Sequence, residues 1–273
     1  MNKRTFGSRL VAAPYLVWSA IFVIVPLIMV VFYAFRDPSG RFTLQYIAEL
    51  GRYGSTLLIS LLYAFIATLI CLLLSYPVAY FMSHRSQNVQ KTMMLLVMLP
   101  MWMNFLIRTY SWITILSNTG VINTLLSKVG LGPVQLINTP GAVILGMVYN
   151  YIPYMILPIY SVMCKIDKPL LEAADDLGSG SFMKLRKIIL PMSVPGIVSG
   201  ITMVFVPAVS TFYISQKLGG GKTLLIGDAI ESQFMSANNY NLGASLSLVL
   251  MVLILISMFI MNRFADEDGG VMI

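Results

Sequence analysis

The stretch Glu172-Ala173-Ala174-Asp175-Asp176-Leu177-Gly178, with Ile188-Ile189-Leu190-Pro191 after nine intervening residues, is a polar, small-residue island between two long apolar runs. Hydrocarbon has no partner for its three acids, so the island belongs in water on one face of a bilayer. It reads as a docking element for a partner, and the apolar runs on either side set the fold.

The chain of 273 residues is 58% hydrophobic and only 11% charged, against about 25% charged in soluble domains. Six apolar stretches, at about 10–35, 56–83, 92–116, 141–163, 192–214 and 242–264, each exceed the roughly 20 residues that a bilayer core demands. The expectation is an all-α, polytopic membrane bundle of six transmembrane helices. Pro14, Pro26, Pro77, Pro100, Pro153, Pro158 and Pro207 fall inside these stretches. Neighbouring helices can satisfy the carbonyls that such prolines free, so each marks either a cavity-shaping kink or plain packing. Lys3-Arg4 followed by an apolar run imitates a signal peptide. The run continues to about Phe35, longer than the 7–15 residues of a signal core, and a retained first span is expected.

The net charge of +7 sits in loops beside the spans, without the aromatic-interleaved basic face of a nucleic-acid binder. With the N-terminus inside, the cytoplasmic side holds eleven basic residues: Lys3, Arg4, Arg9, Arg85, Lys91, Lys165, Lys168, Lys184, Arg186, Lys187 and Arg263. The outer side holds six: Arg36, Arg41, Arg52, Lys128, Lys217 and Lys222. This asymmetry places both termini and the 164–191 island in the cytoplasm, although three arginines in the first outer loop run against it. Cys71 and Cys164 are expected as packing residues. The single histidine, His84, lies in a basic loop, so neither a zinc site nor a nucleophile–base pair is expected.

Within the island, Asp167 stands where it can cap a helix that has Pro169 in its first turn and Glu172 soon after. Gly178 suits a left-handed stop. Leu170, Leu171, Ala174 and Leu177 recur at helical spacing and are expected on one face. Ser181 is read as the cap of a second short helix, 182–190, with Pro191 opening the next span. Lys184, Arg186 and Lys187 also fit a helix lying on headgroups. That reading fails for 172–178, whose acids an anionic leaflet would repel.

Glu-Ala-Ala, three residues, Gly, nine residues, then Ile-x-Leu-Pro resembles the signature loop of the integral-membrane permeases of binding-protein-dependent ABC importers. The resemblance implies a type I importer permease fold. It gives Glu172, Ala173, Ala174, Asp175, Gly178, Leu190 and Pro191 the role of coupling to a separate ATPase. It further implies residues 1–55 as tail, first span and outer loop, 56–264 as permease core, and 265–273 as cytoplasmic tail. The likeness extends over roughly 10–264 and is closest to the first, B-type, permease of spermidine/putrescine importers. Leu99–Trp112, Tyr149–Tyr160, Asp167–Ala174 and Gly219–Gly227 carry it.

For a polyamine, aromatic faces and neutral acceptors make a suitable path. Trp102, Asn104, Tyr110, Tyr149, Asn150, Tyr151 and Tyr154 supply them, and Asp228 and Glu231 near the outer mouth would attract the cation. Alternatives stay open: interfacial belts for the aromatics, interhelical bonding for the asparagines, and solvated loop acids for Asp228 and Glu231. Arg108 reads as structural or as part of an outer gate. Gly221-Lys222-Thr223 imitates a phosphate-binding loop, but Gln216 stands where that loop needs glycine. A flexible turn is expected there.

The implied partners are a homologous second permease, two ATP-binding subunits, an extracytoplasmic binding protein and membrane lipid. No cofactor is expected in this chain, because ATP and Mg belong to the partner ATPase. The implied location is the bacterial inner membrane. Rival readings are the same machine for thiamine, a ferric complex or an oxyanion, and an ion-coupled secondary transporter. The latter usually places ionisable groups inside its spans.

Overall fold

The structure, a computed structural model, describes residues 14–37 and 39–269. Lys3, Arg4, Arg9, the start of the first expected span and the last four residues of the tail lie outside them. Regular structure among the described residues is helical, apart from one β-bridge between Arg36 and Phe42.

In chain order the helices are α1 (Pro14–Ala34), α2 (Gln45–Glu49), α3 (Gly54–Ser83), α4 (Gln87–Trp102), α5 (Phe105–Leu116) and α6 (Val121–Lys128). There follow α7 (Pro140–Met163), α8 (Lys168–Asp176), α9 (Ser181–Val209), α10 (Tyr213–Gly219), α11 (Ile226–Met235) and α12 (Tyr240–Gly269). Five stretches, containing α1, α3, α7, α9 and α12, are long and apolar enough to cross a membrane.

The sixth expected span, 92–116, is not one helix. α4 ends at Trp102, and the stretch Phe105–Lys128 leaves it at 89°. Pro100 supplies no N–H near the end of α4, and Asn104 then caps α5 by accepting the Leu106 N–H at 2.8 Å. A side-chain oxygen at the cap replaces the bond that a continuous helix would have made. The hydropathy of 92–116 runs smoothly through this break.

Two wide π turns, Ala20–Ile24 and Leu185–Ile189, each end two residues before a proline, Pro26 and Pro191. A proline ring collides with the carbonyl four residues upstream in an α-helix. Those carbonyls belong to Phe22 and Lys187, inside the wide turns. Widening accommodates the ring, and the helix runs on. The expected separate helix 182–190 is therefore the first part of α9, which passes unbroken through Pro191. Ser181 is its first residue rather than its cap, and Gly180 holds the capping position.

The fold divides into two compact units. One comprises residues up to Gly54 with Ala229–Leu253; the other comprises Ser55–Asp228 with Ile254 onward. In the smaller unit the carbonyls at the end of α1 are closed by α12. Ser245 Oγ donates to Ala34 O at 3.0 Å, and Asn241 Nδ2 donates to Tyr33 O at 3.2 Å and to Arg36 O at 2.6 Å. These bonds meet acceptors that a helix C-terminus leaves open.

In the larger unit α9 crosses α7 at close range. A Cβ on Gly196 would stand 2.9 Å from Pro158 O and 3.1 Å from Ile159 Cα, and one on Gly200 would stand 2.7 Å from Met155 Sδ. Small residues permit this approach where dispersion, not water, drives association. α3 completes the cluster: Tyr76 and Ser193 share a hydroxyl bond of 3.2 Å, and Cys71 Sγ donates to Val148 O at 3.8 Å. Gly196→Ala presses a methyl on backbone that cannot swing away, a cost of about 1–3 kcal/mol. Its melting temperature in detergent should fall clearly below wild type.

Candidate coupling site

The chain leaves α7 at Cys164 and enters α8 within four residues. Pro169 in the first turn fixes the helical φ. Asp167 occupies the capping position, but its side chain makes no capping bond, so proline rather than the expected carboxylate starts the helix. The stop is a Schellman turn. Ser179 N–H donates to Ala174 O at 2.9 Å and Gly178 N–H to Asp175 O at 2.8 Å, with Gly178 at φ 75°.

The expected four-residue face divides. Ala174 is buried and Leu171 half-buried, while Leu170 is 43% and Leu177 86% exposed. Leu177 already stands past the last helical residue and has left the stripe. With Phe182 at 75% and Met183 at 48%, these side chains form an apolar outer surface on a hook that is otherwise polar.

One tie holds the hook, and a second network lies beside it. Lys184 Nζ pairs with Asp175 Oδ1 at 2.5 Å, joining α8 to the first turn of α9. Behind it, Gln90 Nε2 donates to Ser83 O at 3.1 Å and Arg85 O at 2.9 Å, and Tyr160 Oη donates to Gln90 Oε1 at 3.0 Å. Glu172 and Asp175 line a cleft of ≈ 450 Å³ shared with His84, Arg85, Gln90 and Cys164. Cys164 is exposed, against the expectation that it packs, although its neighbour Met163 is buried. Gln90 and Tyr160 escaped sequence reading; a lone glutamine near the start of a span carried no signal of its partner seventy residues away. Leu190 and Pro191 lie just past the π turn and are both exposed.

The candidate path residues have separate local roles. Trp102 is 72% exposed at the end of α4, and Asn104 caps α5. Tyr110 is exposed, with Lys217 Nζ 5.8 Å from its ring centre. Tyr149 meets Trp112 edge-on at 5.3 Å. Asn150 is buried and donates to Gly146 O at 2.8 Å, with no partner for its Oδ1. Tyr151 Oη donates to Pro207 O at 3.3 Å. Tyr154 is exposed on α7, and Glu231 lies on α11 in the smaller unit.

Asp228 is neither an open mouth acid nor a solvated one. It is buried, and its carboxylate accepts from Ser215 Oγ at 2.9 Å and from Leu225 N–H at 2.8 Å. The second bond is the reach-back half of a capping box on α11. Arg108 is buried with Nε and Nη1 unpartnered, 6.0 Å from the Phe105 ring. Gly220 and Gly221, at φ 57° and 73°, make the turn that ends α10. Among the described residues no group of three or more His, Cys, Asp or Glu side chains is placed to hold a metal.

A helical bundle with a water-facing hook between two spans is the architecture of a transport permease. The chain belongs to the family described as binding-protein-dependent transport system inner membrane component, whose model matches residues 75–267. It is therefore a multi-pass inner-membrane ABC transporter permease. It is 39% identical over 256 residues to the spermidine/putrescine transport system permease protein PotB of Haemophilus influenzae, covering 90% of each chain. To PotB of Escherichia coli it is 40% identical over 245 residues, covering 86% of this chain and 89% of the relative. Its fold superposes with a TM-score of 0.78 on a bacterial ABC transporter involved in import of the acidic polysaccharide alginate. That match has 18% identity and covers 99% of this chain and 98% of the other.

Gly178→Val forces a β-branched residue into a left-handed turn at about 1–2 kcal/mol. Transport should be lost while the protein still reaches the membrane in normal amount by immunoblot. Asp228→Ala strands the buried Leu225 N–H, while Ser215 Oγ keeps Phe212 O as acceptor at 2.7 Å; the cost of about 1–3 kcal/mol should lower the yield of folded protein on gel filtration.

Proposed function

We propose that this chain is the permease subunit of an ATP-driven, binding-protein-dependent importer of polyamines, spermidine or putrescine. It forms half of the translocation path, and both termini lie in the cytoplasm. The observation that carries the reading is the α8 hook: a rigidly stopped helix with an apolar outer face, tied to a spanning helix by Asp175 and Lys184. Relatives bearing the polyamine permease name at 39% and 40% identity over nearly the whole chain support the substrate class.

On this reading the chain is non-catalytic. It stands beside a homologous second permease and docks on two ATP-binding subunits, which hold ATP and Mg. An extracytoplasmic binding protein delivers the polyamine. ATP binding draws the two hooks together and turns the spans outward, and hydrolysis resets them. Glu172, Ala173, Ala174, Asp175, Gly178, Leu190 and Pro191 form the coupling element. The acids of the hook meet the ATPase rather than the substrate.

The test is uptake of labelled spermidine by a polyamine-uptake-deficient bacterium expressing the whole system. Wild type should restore uptake, with competition by putrescine and not by thiamine or an oxyanion. Glu172→Lys should abolish it at unchanged membrane level, and the purified chain alone should hydrolyse no ATP. Normal uptake by Glu172→Lys contradicts the coupling role, and competition by thiamine contradicts the substrate class.

A further inference from the structure

Lys217 holds its ammonium against two tyrosine rings. Nζ lies 5.7 Å from the ring centre of Tyr213, one turn back on α10, and 5.8 Å from that of Tyr110 on α5. Both distances are within the reach of a cation–π attraction. The two phenols interact with each other, and the Lys217 ammonium bears on the Tyr110 hydroxyl as well. Phe105 backs the cluster, its ring centre 5.8 Å from that of Tyr213. Among the described residues no carboxylate pairs with Lys217. The cluster is open to a ligand: Tyr110 is 51% exposed, and Tyr213 and Lys217 are half-buried.

An ammonium held by ring faces and a phenol is held without a counter-ion. Such a site can exchange one cation for another at little electrostatic cost, because the charge at the rings is the same before and after. The occupant also has an informative shape. A lysine side chain is a four-carbon stem ending in an ammonium, which is the aminobutyl end of putrescine and of spermidine. The stem is flexible and its ammonium strongly hydrated, so Lys217 can swing into water when another amine takes its place. Arg108 stands 6.0 Å from the Phe105 ring, and the cluster already holds one ammonium in the field of that guanidinium.

We propose that the Tyr110–Tyr213 pair is a binding site for one terminal ammonium of an aliphatic polyamine, and that Lys217 fills it as a tethered stand-in until substrate displaces it. The proposal deepens the polyamine reading above and rests on it. On the orientation proposed there, Lys217 lies on the outer side, where the binding protein releases its cargo. A competitor on so short a tether acts at an effective concentration on the order of millimolar. Only an amine released directly at the site takes the rings from it, and free amine at low concentration does not.

The test is equilibrium binding of labelled spermidine to the complete importer in lipid nanodiscs, without the binding protein, with and without a non-hydrolysable ATP analogue. Lys217→Met keeps the stem and removes the ammonium. In at least one of the two states it should bind spermidine about tenfold more tightly than wild type, the scale of an ammonium–ring contact freed from competition. Removing Lys217 also removes a repelling charge, so the rings are tested separately. Lys217→Met/Tyr110→Leu should fall back to wild-type affinity or below, and Lys217→Met/Tyr110→Phe should keep the gain. Tyr110 is exposed, so neither change opens the packed interior. Equal binding by wild type and Lys217→Met overturns the proposal. So does a gain that survives Tyr110→Leu, and so does the absence of measurable binding in every variant. Each of these results leaves the polyamine reading standing if the wild-type importer, supplied with its binding protein, takes up spermidine. A wild-type importer that carries no polyamine refutes that reading itself.

Discussion

A peptide group in hydrocarbon has to find its hydrogen bond within the protein. That constraint explains why the spanning segments are helical and how they tolerate so many prolines. Hydroxyls inside the spans bond to the carbonyl four residues back, as Ser60 does to Thr56 and Thr68 to Ala64, both at 2.7 Å. Prolines are absorbed by widening the turn, at Ala20–Ile24 and Leu185–Ile189. Where the ladder stops inside an apolar run, at Met103–Asn104, a side chain takes over the lost bond. Residues 164–180 meet none of these conditions for burial in lipid. Their acids need water, which the loop between α7 and α9 is placed to offer.

The consequence is mechanical. α9 is one helix from Ser181 to Val209, roughly 44 Å at 1.5 Å per residue. Its first turn is paired to α8 through Lys184, and farther along it presses on α7 at Gly196 and Gly200. In the proposed mechanism a displacement of the hook moves α9 against the neighbouring spanning helix. The Gln90–Tyr160 bond joins α4 to α7 beside the cleft that the hook lines. On this account the permease converts movement of an attached motor into a change of path.

Much of this was legible in the sequence because its causes are local. Five of the six spans follow from unbroken apolar length. The stop at Gly178 follows from the one residue type that accepts a left-handed turn cheaply, and the start of α8 follows from Pro169. What was not legible depends on partners distant in sequence or on geometry that hydropathy does not record. Apolarity continues across the break after Trp102, where Asn104 looked like a path residue and serves as a cap. Asp228 read as a mouth acid because nothing nearby announces Ser215, thirteen residues earlier, as its partner. Ser181 had the chemistry of a cap, but the helix starts one residue earlier than expected, with Gly180 at the capping position. Arg108 is buried for reasons its flanking sequence does not reveal.

The account turns on where the hook lies and what covers it. A thiol placed at Leu177, the most exposed apolar position of the hook, in a Cys164→Ser background reports both through a membrane-impermeant maleimide. The label should enter only from the cytoplasmic side, in inside-out vesicles stripped of the ATPase, and adding the ATPase back should block it. Labelling in intact spheroplasts, or labelling indifferent to the ATPase, would contradict the claim that a cytoplasmic hook couples this permease to its motor.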